Sequence, residues 1–277
     1  MKLHLHIGAH KTATTHFQNV LATNQYLYPI GYKYIPMIDF RRNVTRLIGN
    51  KMNDFKPYLD EAIKDSPDVI IVSEENICGE TKDIFECDYL YPRLESRLTS
   101  MVNFIEAFDE VEVWFSIRAM DTFLPSMYCE YLRHFKFKPF DKSLLGRHHE
   151  QSWIPVIQTI GLCLPKATIN IIQYENYPSN LPSIINHIYK DTSGWDCLTD
   201  IRHRESFNHF AIDIYRKFNL ISPKLLTSFI KLLSKTYHKD NLVGKFSPFD
   251  QNQRKLLRSM YVNDLVTITK MKNVNVF

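Results

Sequence analysis

The sequence predicts an α/β fold, in which helices cover both faces of a parallel sheet and a mostly helical region follows. Short apolar segments typical of buried strands alternate along the chain with longer segments whose apolar residues recur at helical spacing. Strands that alternate with helices are joined by crossover connections, and such connections make the sheet parallel. Beyond residue 204 the helical spacing continues to near the end of the chain, which predicts the helical C-terminal region.

The strands are predicted from two kinds of pattern. In the first strand, apolar residues alternate with His4 and His6, which we interpret as packed or hydrogen-bonded positions. Residues 69–72 form a continuous apolar run, which is typical of a strand buried on both faces. The predicted strands are 3–7, 68–73, 111–117 and 167–174.

The helices are predicted from apolar residues three and four positions apart. They begin at residue 14 and then cover 94–108, 121–133, 153–162, 181–189, 207–218, 224–238 and 250–268. We interpret residues 26–60 as a loop with short helical pieces, because proline and glycine punctuate them. Residues 134–152 are polar and basic, and we interpret them as a loop over the functional site.

The length and composition indicate a globular protein. At 277 residues, with 44% hydrophobic and 23% charged residues, the chain can bury a substantial core. We expect residues 1–277 to form a single domain, in which residues 221–277 are a basic helical extension. That extension carries ten Lys and Arg against three Asp and Glu. Basic segments can contact nucleic acid or an anionic membrane, but charges spread singly among leucines and isoleucines favour a solvated helical face.

Location and redox state follow from what the sequence lacks. It has neither the apolar core of a signal peptide at its start nor an apolar run long enough to cross a bilayer. We therefore expect a cytoplasmic protein with no transmembrane segment. The five cysteines are scattered and never in C-x-x-C spacing, which favours reduced, mostly buried thiols over a zinc site or disulfides.

The segment between the first strand and the first helix has the composition of an anion-binding loop. Gly8 follows the strand, Lys11 adds a positive charge, and Thr12, Thr14 and Thr15 add hydroxyl donors. The N–H groups of a helix's first turn and the helix dipole favour an anion at this position. The simpler alternative is an ordinary turn in which Thr14 or Thr15 caps the helix.

The same segment resembles the loop that binds the 5′-phosphosulfate group in sulfotransferases. Residues 3–18 read LHLHIGAHKTATTHFQ, and the family pattern is G-x-x-K-T-G-T-T, with Ala13 in place of the second glycine. The segment looks especially like the bacterial carbohydrate-type branch. The Walker pattern of nucleotide hydrolases, G-x-x-x-x-G-K-[ST], does not fit, because Lys11 follows Gly8 by three positions without a glycine before it.

The resemblance implies a three-layer, P-loop-like fold with 3′-phosphoadenylyl sulfate (PAPS) as sulfuryl donor and 3′-phosphoadenosine 5′-phosphate (PAP) as product. No metal is required, since a sulfonate carries less charge than a phosphate, and Lys11 would stabilise the leaving oxygen. A second family pattern, an arginine at a strand end with a serine eight residues later, is matched by Arg118 and Ser126, which would bind the 3′-phosphate. Tyr174 and Glu175 match a pair whose role we interpret as structural. The implied donor-binding residues are Gly8, Ala9, His10, Lys11, Thr12, Ala13, Thr14, Thr15, Arg118 and Ser126.

The implied reaction also needs a base, because the acceptor is a hydroxyl or amine of a carbohydrate or glycolipid. Glycosaminoglycan sulfotransferases resemble this chain in carrying a glutamate at the end of the corresponding strand, which implies Glu74 or Glu75. Successive side chains of a strand point to opposite sides, so we expect only one to face the site and prefer Glu75. Alternatively, both are helix-capping or solvated carboxylates, and the competing bases are His10, His148 and His149.

Two other functions remain open at this point. A P-loop kinase or nucleotide hydrolase is disfavoured by the missing G-K-[ST] and by Ser73-Glu74, where a Walker B aspartate would end the strand. A nucleotide-binding module without catalysis is suggested by Ala13. We expect no nucleic-acid partner, and the sequence indicates neither the acceptor's identity nor the oligomeric state.

Overall fold

The computed structural model describes residues 1–49, 55–87, 89–140, 151–190, 194–196, 206–236 and 244–277. Across these residues the chain forms a six-stranded parallel sheet with helices on both faces, as the sequence predicts. The strands are β1 (Lys2–His6), β2 (Tyr32–Ile35), β3 (Val69–Ser73), β4 (Glu110–Ile117), β5 (Thr168–Gln173) and β6 (Val274–Val276). Their order in the sheet is β2-β3-β1-β4-β5-β6, so β1 lies between β3 and β4.

The helices of the described segments lie between and after the strands. They are α1 (Thr14–Thr23), α2 (Met37–Asn43), α3 (Lys56–Ile63), α4 (Asp83–Glu86), α5 (Leu94–Ser100), α6 (Val102–Ile105), α7 (Met120–His134), α8 (Ile154–Cys163), α9 (Tyr177–Tyr189), α10 (His209–Lys217), α11 (Pro223–Thr236) and α12 (Gln251–Ile268). Tyr215, Leu226 and Leu257 of α10, α11 and α12 belong to the same apolar cluster as one face of the sheet. Among the described helices none combines the length and apolarity needed to cross a bilayer.

The interpretation of residues 26–60 as a loop with short helical pieces agrees with α2 and the start of α3, but it is wrong at β2, which was not expected there. β2 is an edge strand, and its residues Tyr32, Lys33 and Tyr34 are only half-buried. Such a strand needs no continuous apolar run, so the pattern that reveals central strands is missing. The three-residue strand β6 at the other edge escapes prediction for the same reason.

The predicted helix over residues 94–108 is two short helices, α5 and α6, separated at Met101. Met101 has φ −99° and ψ 1°, and its N–H donates to the carbonyl of Leu98 at 3.0 Å. This tighter turn redirects the chain while Met101 itself stays fully buried. Apolar spacing alone does not reveal the change of direction, because both helices bury their apolar residues in the same core.

The two faces of the sheet are covered by different helices. Leu3 and Leu5 of β1 pack with residues of α5 and α7 on one face, whereas α1 and α9 pack against Ile71 and Trp114 on the other. The chain leaving β1 therefore turns to the opposite face from the chain leaving β3 or β4. In parallel sheets the crevice at such a reversal is where ligands bind. This places the loop of residues 8–15 at the position that the fold favours for a ligand.

The two histidines of β1 are buried and hydrogen-bonded, as expected from the sequence. Trp114 Nε1 donates to His4 Nδ1 at 3.1 Å, and His6 Nδ1 lies 2.7 Å from Ser73 Oγ. The His6 ring also packs edge-on against Phe17 of α1, with ring centroids 4.8 Å apart. Burial lowers the pKa of each histidine to about 4. Both are therefore held neutral at physiological pH.

We expect this burial to make the protein acid-sensitive. The folded-state pKa values lie below the unfolded value of about 6.5, so the unfolded state binds more protons as pH falls from about 6.5 to about 4. Each histidine should therefore lower the free energy of unfolding by about 2 kcal/mol between about pH 7.5 and pH 5. Chemical denaturation at the two pH values measures this loss.

The variant His6→Gln isolates one of the two contributions. Glutamine retains a hydrogen-bonding side chain but does not titrate, so the variant should lose about 2 kcal/mol of the pH dependence. An unchanged difference in unfolding free energy between the two pH values would show that His6 is not held neutral by the fold.

Candidate functional site

The loop of residues 8–15 is fixed at the carboxyl end of β1 by contacts on both sides. The N–H of Ala9 donates to the carbonyl of Ser116 in β4 at 3.2 Å, and the N–H of His10 donates to the Tyr91 hydroxyl at 2.9 Å. A side chain at Gly8 would place its Cβ 2.7 Å from His6 Nε2. Glycine is therefore required here by the close approach of the buried histidine below the loop.

Helix α1 begins directly after this loop without a side-chain cap. Its N-cap residue is Ala13, whose methyl group accepts no hydrogen bond. The alternative in which Thr14 or Thr15 caps the helix is therefore wrong. Thr14 is buried and Thr15 exposed, whereas the hydroxyl of buried Thr12 donates to the carbonyl of Ala9 and shapes the loop from within. The first-turn N–H groups of α1 thus point out of the helix at the predicted anion position.

The loop contains two non-glycine residues in the left-handed region. Lys11 has φ 63° and Ala13 has φ 66°. A residue with a side chain pays about 1–2 kcal/mol for this conformation. Ala13 therefore occupies a position that suits glycine.

The ammonium group of Lys11 lies beside a carboxylate of α7. Lys11 Nζ is 3.4 Å from Glu130 Oε2, and both side chains are mostly buried. Glu130 also lies 3.2 Å from Arg133 and 3.2 Å from His134, one turn further along the same helix. The predicted catalytic lysine is thus part of an ionic cluster in which Glu130 offsets the positive charge.

The predicted residue Arg118 lies against the same loop. Its NH1 donates to the carbonyl of Lys11 at 2.9 Å, and its Nε donates to Thr122 Oγ1 at 2.9 Å. The guanidinium sits 4.3 Å above the ring centre of Tyr174, and burial lowers the pKa of Arg118 without removing its charge. The structure therefore brings the two sequence patterns together. Ser126, the other member of the second pattern, is buried within α7.

Glu175 has a structural position, as interpreted. Its Oε1 accepts from the N–H of Ala119 at 2.9 Å, and its Oε2 accepts from the hydroxyl of Tyr261 in α12 at 2.9 Å. The indole N–H of Trp153 donates to the carbonyl of Arg118 at 2.8 Å. These contacts fix the chain that leaves β4.

On the other side of the loop, Glu74 and Glu75 share one cation. Arg41 of α2 donates to the two carboxylate oxygens of Glu74 at 2.6 and 2.8 Å, and its NH2 lies 3.5 Å from Glu75 Oε1. Gln18 of α1 donates to Glu75 Oε2 at 3.0 Å.

Burial raises the pKa of Glu74, which is fully inaccessible to solvent, although Arg41 opposes this. Burial also favours the neutral form of Glu75, but the nearby charges of His10 and Arg41 and its hydrogen bonds keep its pKa below the usual range.

The expectation that Glu74 points away from Glu75 is wrong. Strand β3 ends at Ser73, and a 3₁₀ turn begins at Glu75 (Glu75–Ile77), so strand alternation no longer applies. Both carboxylates consequently reach Arg41. They differ in access instead, because the Glu75 side chain is 16% exposed and that of Glu74 is 0% exposed.

His10 lies between the two halves of the site, and both of its ring nitrogens have partners. Nε2 is 2.9 Å from Asn76 Oδ1, which can only accept, so Nε2 carries the proton in the neutral ring. Nδ1 lies 3.2 Å from the Tyr91 hydroxyl and accepts its proton. Burial lowers the pKa of His10, although the charge of Glu75 opposes this. Burial therefore favours the neutral ring of His10, whereas the protonated ring is the form that stabilises the Glu75 carboxylate.

Sequence reasoning missed Arg41 and Glu130, the ionic partners of predicted site residues. Arg41 lies 33 positions from Glu74, and Glu130 lies 119 positions from Lys11, so no local pattern connects them. Gln18 lies at the end of residues 3–18, but the loop pattern does not indicate its hydrogen bond to Glu75. The candidate bases His148 and His149 lie outside the described residues. Within the described parts of the chain, no three His, Cys, Asp or Glu side chains cluster as a metal site, and the described cysteines form no disulfide.

We expect Ala13→Gly to raise the free energy of unfolding by about 1 kcal/mol, because glycine adopts the left-handed conformation without a steric cost. Chemical denaturation of the variant and the parent measures the change. Ala119→Gly is the matched control, since Ala119 has φ −58° and its replacement should destabilise the protein. A loss of stability in Ala13→Gly would mean that residue 13 is not strained.

The site therefore lies at the carboxyl ends of the central strands. It contains a strained loop, an uncapped helix start and two ionic clusters. Comparison of the chain with protein-family models, with curated proteins and with solved structures finds no match.

Proposed function

We propose that this chain is a PAPS-dependent sulfotransferase of P-loop-like fold. The observation that supports this most is the hydrogen bond from Arg118 to the carbonyl of Lys11. It joins the two segments that resemble the 5′-phosphosulfate and 3′-phosphate patterns of sulfotransferases. Both segments also lie at the reversal of connections around β1, where α/β sheets bind ligands.

The loop residues fit the 5′-phosphosulfate end of the donor. The uncapped first turn of α1 supplies N–H groups and the positive end of a helix dipole for phosphate oxygens. Lys11 would stabilise charge on the bridging oxygen as the sulfur–oxygen bond to the phosphate breaks. Because a sulfonate carries less charge than a phosphate, we propose that these groups suffice without a metal ion.

Glu75 is the proposed general base. The new bond forms between the acceptor oxygen or nitrogen and sulfur, and the proton of the acceptor passes to a Glu75 carboxylate oxygen. Glu75 is partly accessible and its pKa is lowered, so it is ionised and ready to accept a proton at neutral pH. Glu74 is inaccessible and bonded to Arg41 through both oxygens, so its role is to hold Arg41 in place.

The acceptor is proposed to be a carbohydrate or glycolipid, from the resemblance of residues 3–18 to the carbohydrate-type branch. A specific observation favours a second candidate, a nucleotide-binding module without transfer activity. Ala13 is strained where the family pattern has glycine, and Glu130 lies within 3.4 Å of the Lys11 ammonium. PAP binding without sulfate transfer to any member of a broad glycan panel would select this second candidate.

Lys11→Ala should lower the rate of sulfate transfer by about two to three decades, because it removes the charge beside the leaving oxygen. The assay follows the mass increase of one SO₃ group on members of a glycan panel incubated with PAPS. Lys64→Ala, at an exposed lysine of the surface, is the control and should retain the parental rate. Near-normal transfer by Lys11→Ala would exclude Lys11 from the mechanism.

Glu75→Gln should lower the transfer rate by about two to four decades and leave PAP affinity nearly unchanged, because glutamine cannot accept the acceptor's proton. Glu74→Gln is the comparison variant. It should lower the free energy of unfolding by about 2 kcal/mol or more, since it weakens a buried ion pair.

The pH profile provides an independent check on the base. A free carboxylate titrates at about pH 4.3. Because the pKa of Glu75 is lowered, activity should already be at its plateau above about pH 5.5. Full activity in Glu75→Gln together with loss in His10→Ala would assign the base to imidazole instead.

A further inference from the structure

Helices α10 and α11, with the turn between them, expose a large apolar surface. We call this surface the hairpin face. Its side chains are exposed by 43–93% of their area: Phe218 48%, Leu220 93%, Ile221 43%, Leu225 65%, Phe229 47% and Leu232 61%. Contiguous apolar exposure of this kind marks an interaction surface, whereas single exposed residues do not.

Helix α11 has two apolar stripes rather than one. Leu226 and Ile230 are buried in the core, which accounts for the docking of the helix on the rest of the protein. Leu225, Phe229 and Leu232 follow one another at i, i+4 and i+7, so they form a second stripe within about 60° of the helix circumference. This second stripe is not needed for the fold, because it points away from the core and remains exposed.

Within the described segment 209–236, most charged residues are positive. Arg216, Lys217, Lys224 and Lys231 are exposed along the same helices and turn. The acidic residue of the described segment 209–236 is Asp213, and it pairs with Arg216. On α11 the lysines Lys224 and Lys231 are seven positions apart, so they form a row beside the exposed apolar stripe.

We infer that the hairpin face docks on an anionic membrane surface. An apolar stripe flanked by a row of lysines is the pattern of helices that lie in the plane of a membrane interface. The apolar side chains enter the boundary between headgroups and acyl chains, while the long lysine stems let the ammonium groups reach lipid phosphates. The positive charges match the sign of anionic lipids and would be attracted to their surface.

The helices that carry the hairpin face are connected to the helix that carries Glu130 of the candidate site. Helix α11 packs on α7, which carries Glu130, and the Tyr215 hydroxyl of α10 lies 2.6 Å from Thr227 Oγ1 of α11. Arg133 of α7 lies over the ring of Phe207, just before α10, at 4.7 Å. Docking would therefore bring the Glu130 side of the site toward the membrane. If the proposed function is correct, on which this step rests, the acceptor is the glycan of a membrane glycolipid.

Vesicle co-sedimentation tests the docking without donor or acceptor, so its result is independent of the transferase proposal. The full chain should sediment with vesicles of phosphatidylcholine and phosphatidylglycerol, and weakly with phosphatidylcholine alone. Added salt should reduce the binding, because salt screens the lysines. The double variant Leu225→Ser/Phe229→Ser and the double variant Lys217→Glu/Lys224→Glu should each weaken binding at least about tenfold. Ile30→Ser is the matched control, because Ile30 is fully exposed on another surface and should bind like the parent.

Three results would overturn the inference. The first is the absence of binding to anionic vesicles by the parent chain. The second is equal binding by the parent and both double variants. The third is a parent that forms dimers which Leu225→Ser/Phe229→Ser dissociates, since the face would then be an interface between two copies. Circular dichroism confirms in each case that the variants are folded.

Discussion

The hydrogen bond from Arg118 to the Lys11 carbonyl fixes the position of the loop that follows the central strand. It links the end of β4 to the end of β1, and two further segments contact Arg118. Tyr174, after β5, supports it from below, and the indole of Trp153 binds the carbonyl of Arg118. The backbone conformation of the loop is thus determined by three segments distant in sequence, which explains how two left-handed residues persist in it.

The ionic groups of the site are divided between its two sides. Arg41 and Glu74 form a buried pair, and such a pair is tolerated only because both carboxylate oxygens are bonded. Glu75 receives a longer contact from Arg41 and a hydrogen bond from Gln18. These contacts stabilise its negative charge while the side chain stays partly accessible to solvent. On the opposite side, Lys11 and Glu130 partly neutralise each other. The site therefore combines a firmly held carboxylate side with a side on which Glu130 is shared by Lys11, Arg133 and His134.

The sequence predicts a feature of the site where the residues that form it lie close together along the chain. The loop after β1 and the arginine at the end of β4 are recognisable because each pattern lies within a few residues, and the fold then brings them into contact. Arg41 and Glu130 could not be found this way, since each meets its partner through the tertiary fold. The edge strands β2 and β6 were missed because exposure on one side removes the apolar run. The expected orientation of Glu74 is wrong because β3 ends at Ser73. The alternation of side chains within a strand therefore does not apply to Glu74 and Glu75.

The sheet order has a consequence for how the chain folds. Lys2 of β1 pairs with Val69 of β3 and with Glu110 of β4, so β1 must wait for partners that are synthesised much later. Contacts between residues so distant in sequence close large loops and slow the folding of parallel sheets. Until β3 is made, β1 has two free edges, and until β4 arrives it keeps one, which is the condition under which nascent chains associate wrongly. The loop of residues 8–15 contacts Ser116 of β4 and Arg118 after it, so it can take its final shape only after that step, and the candidate site therefore forms late in folding.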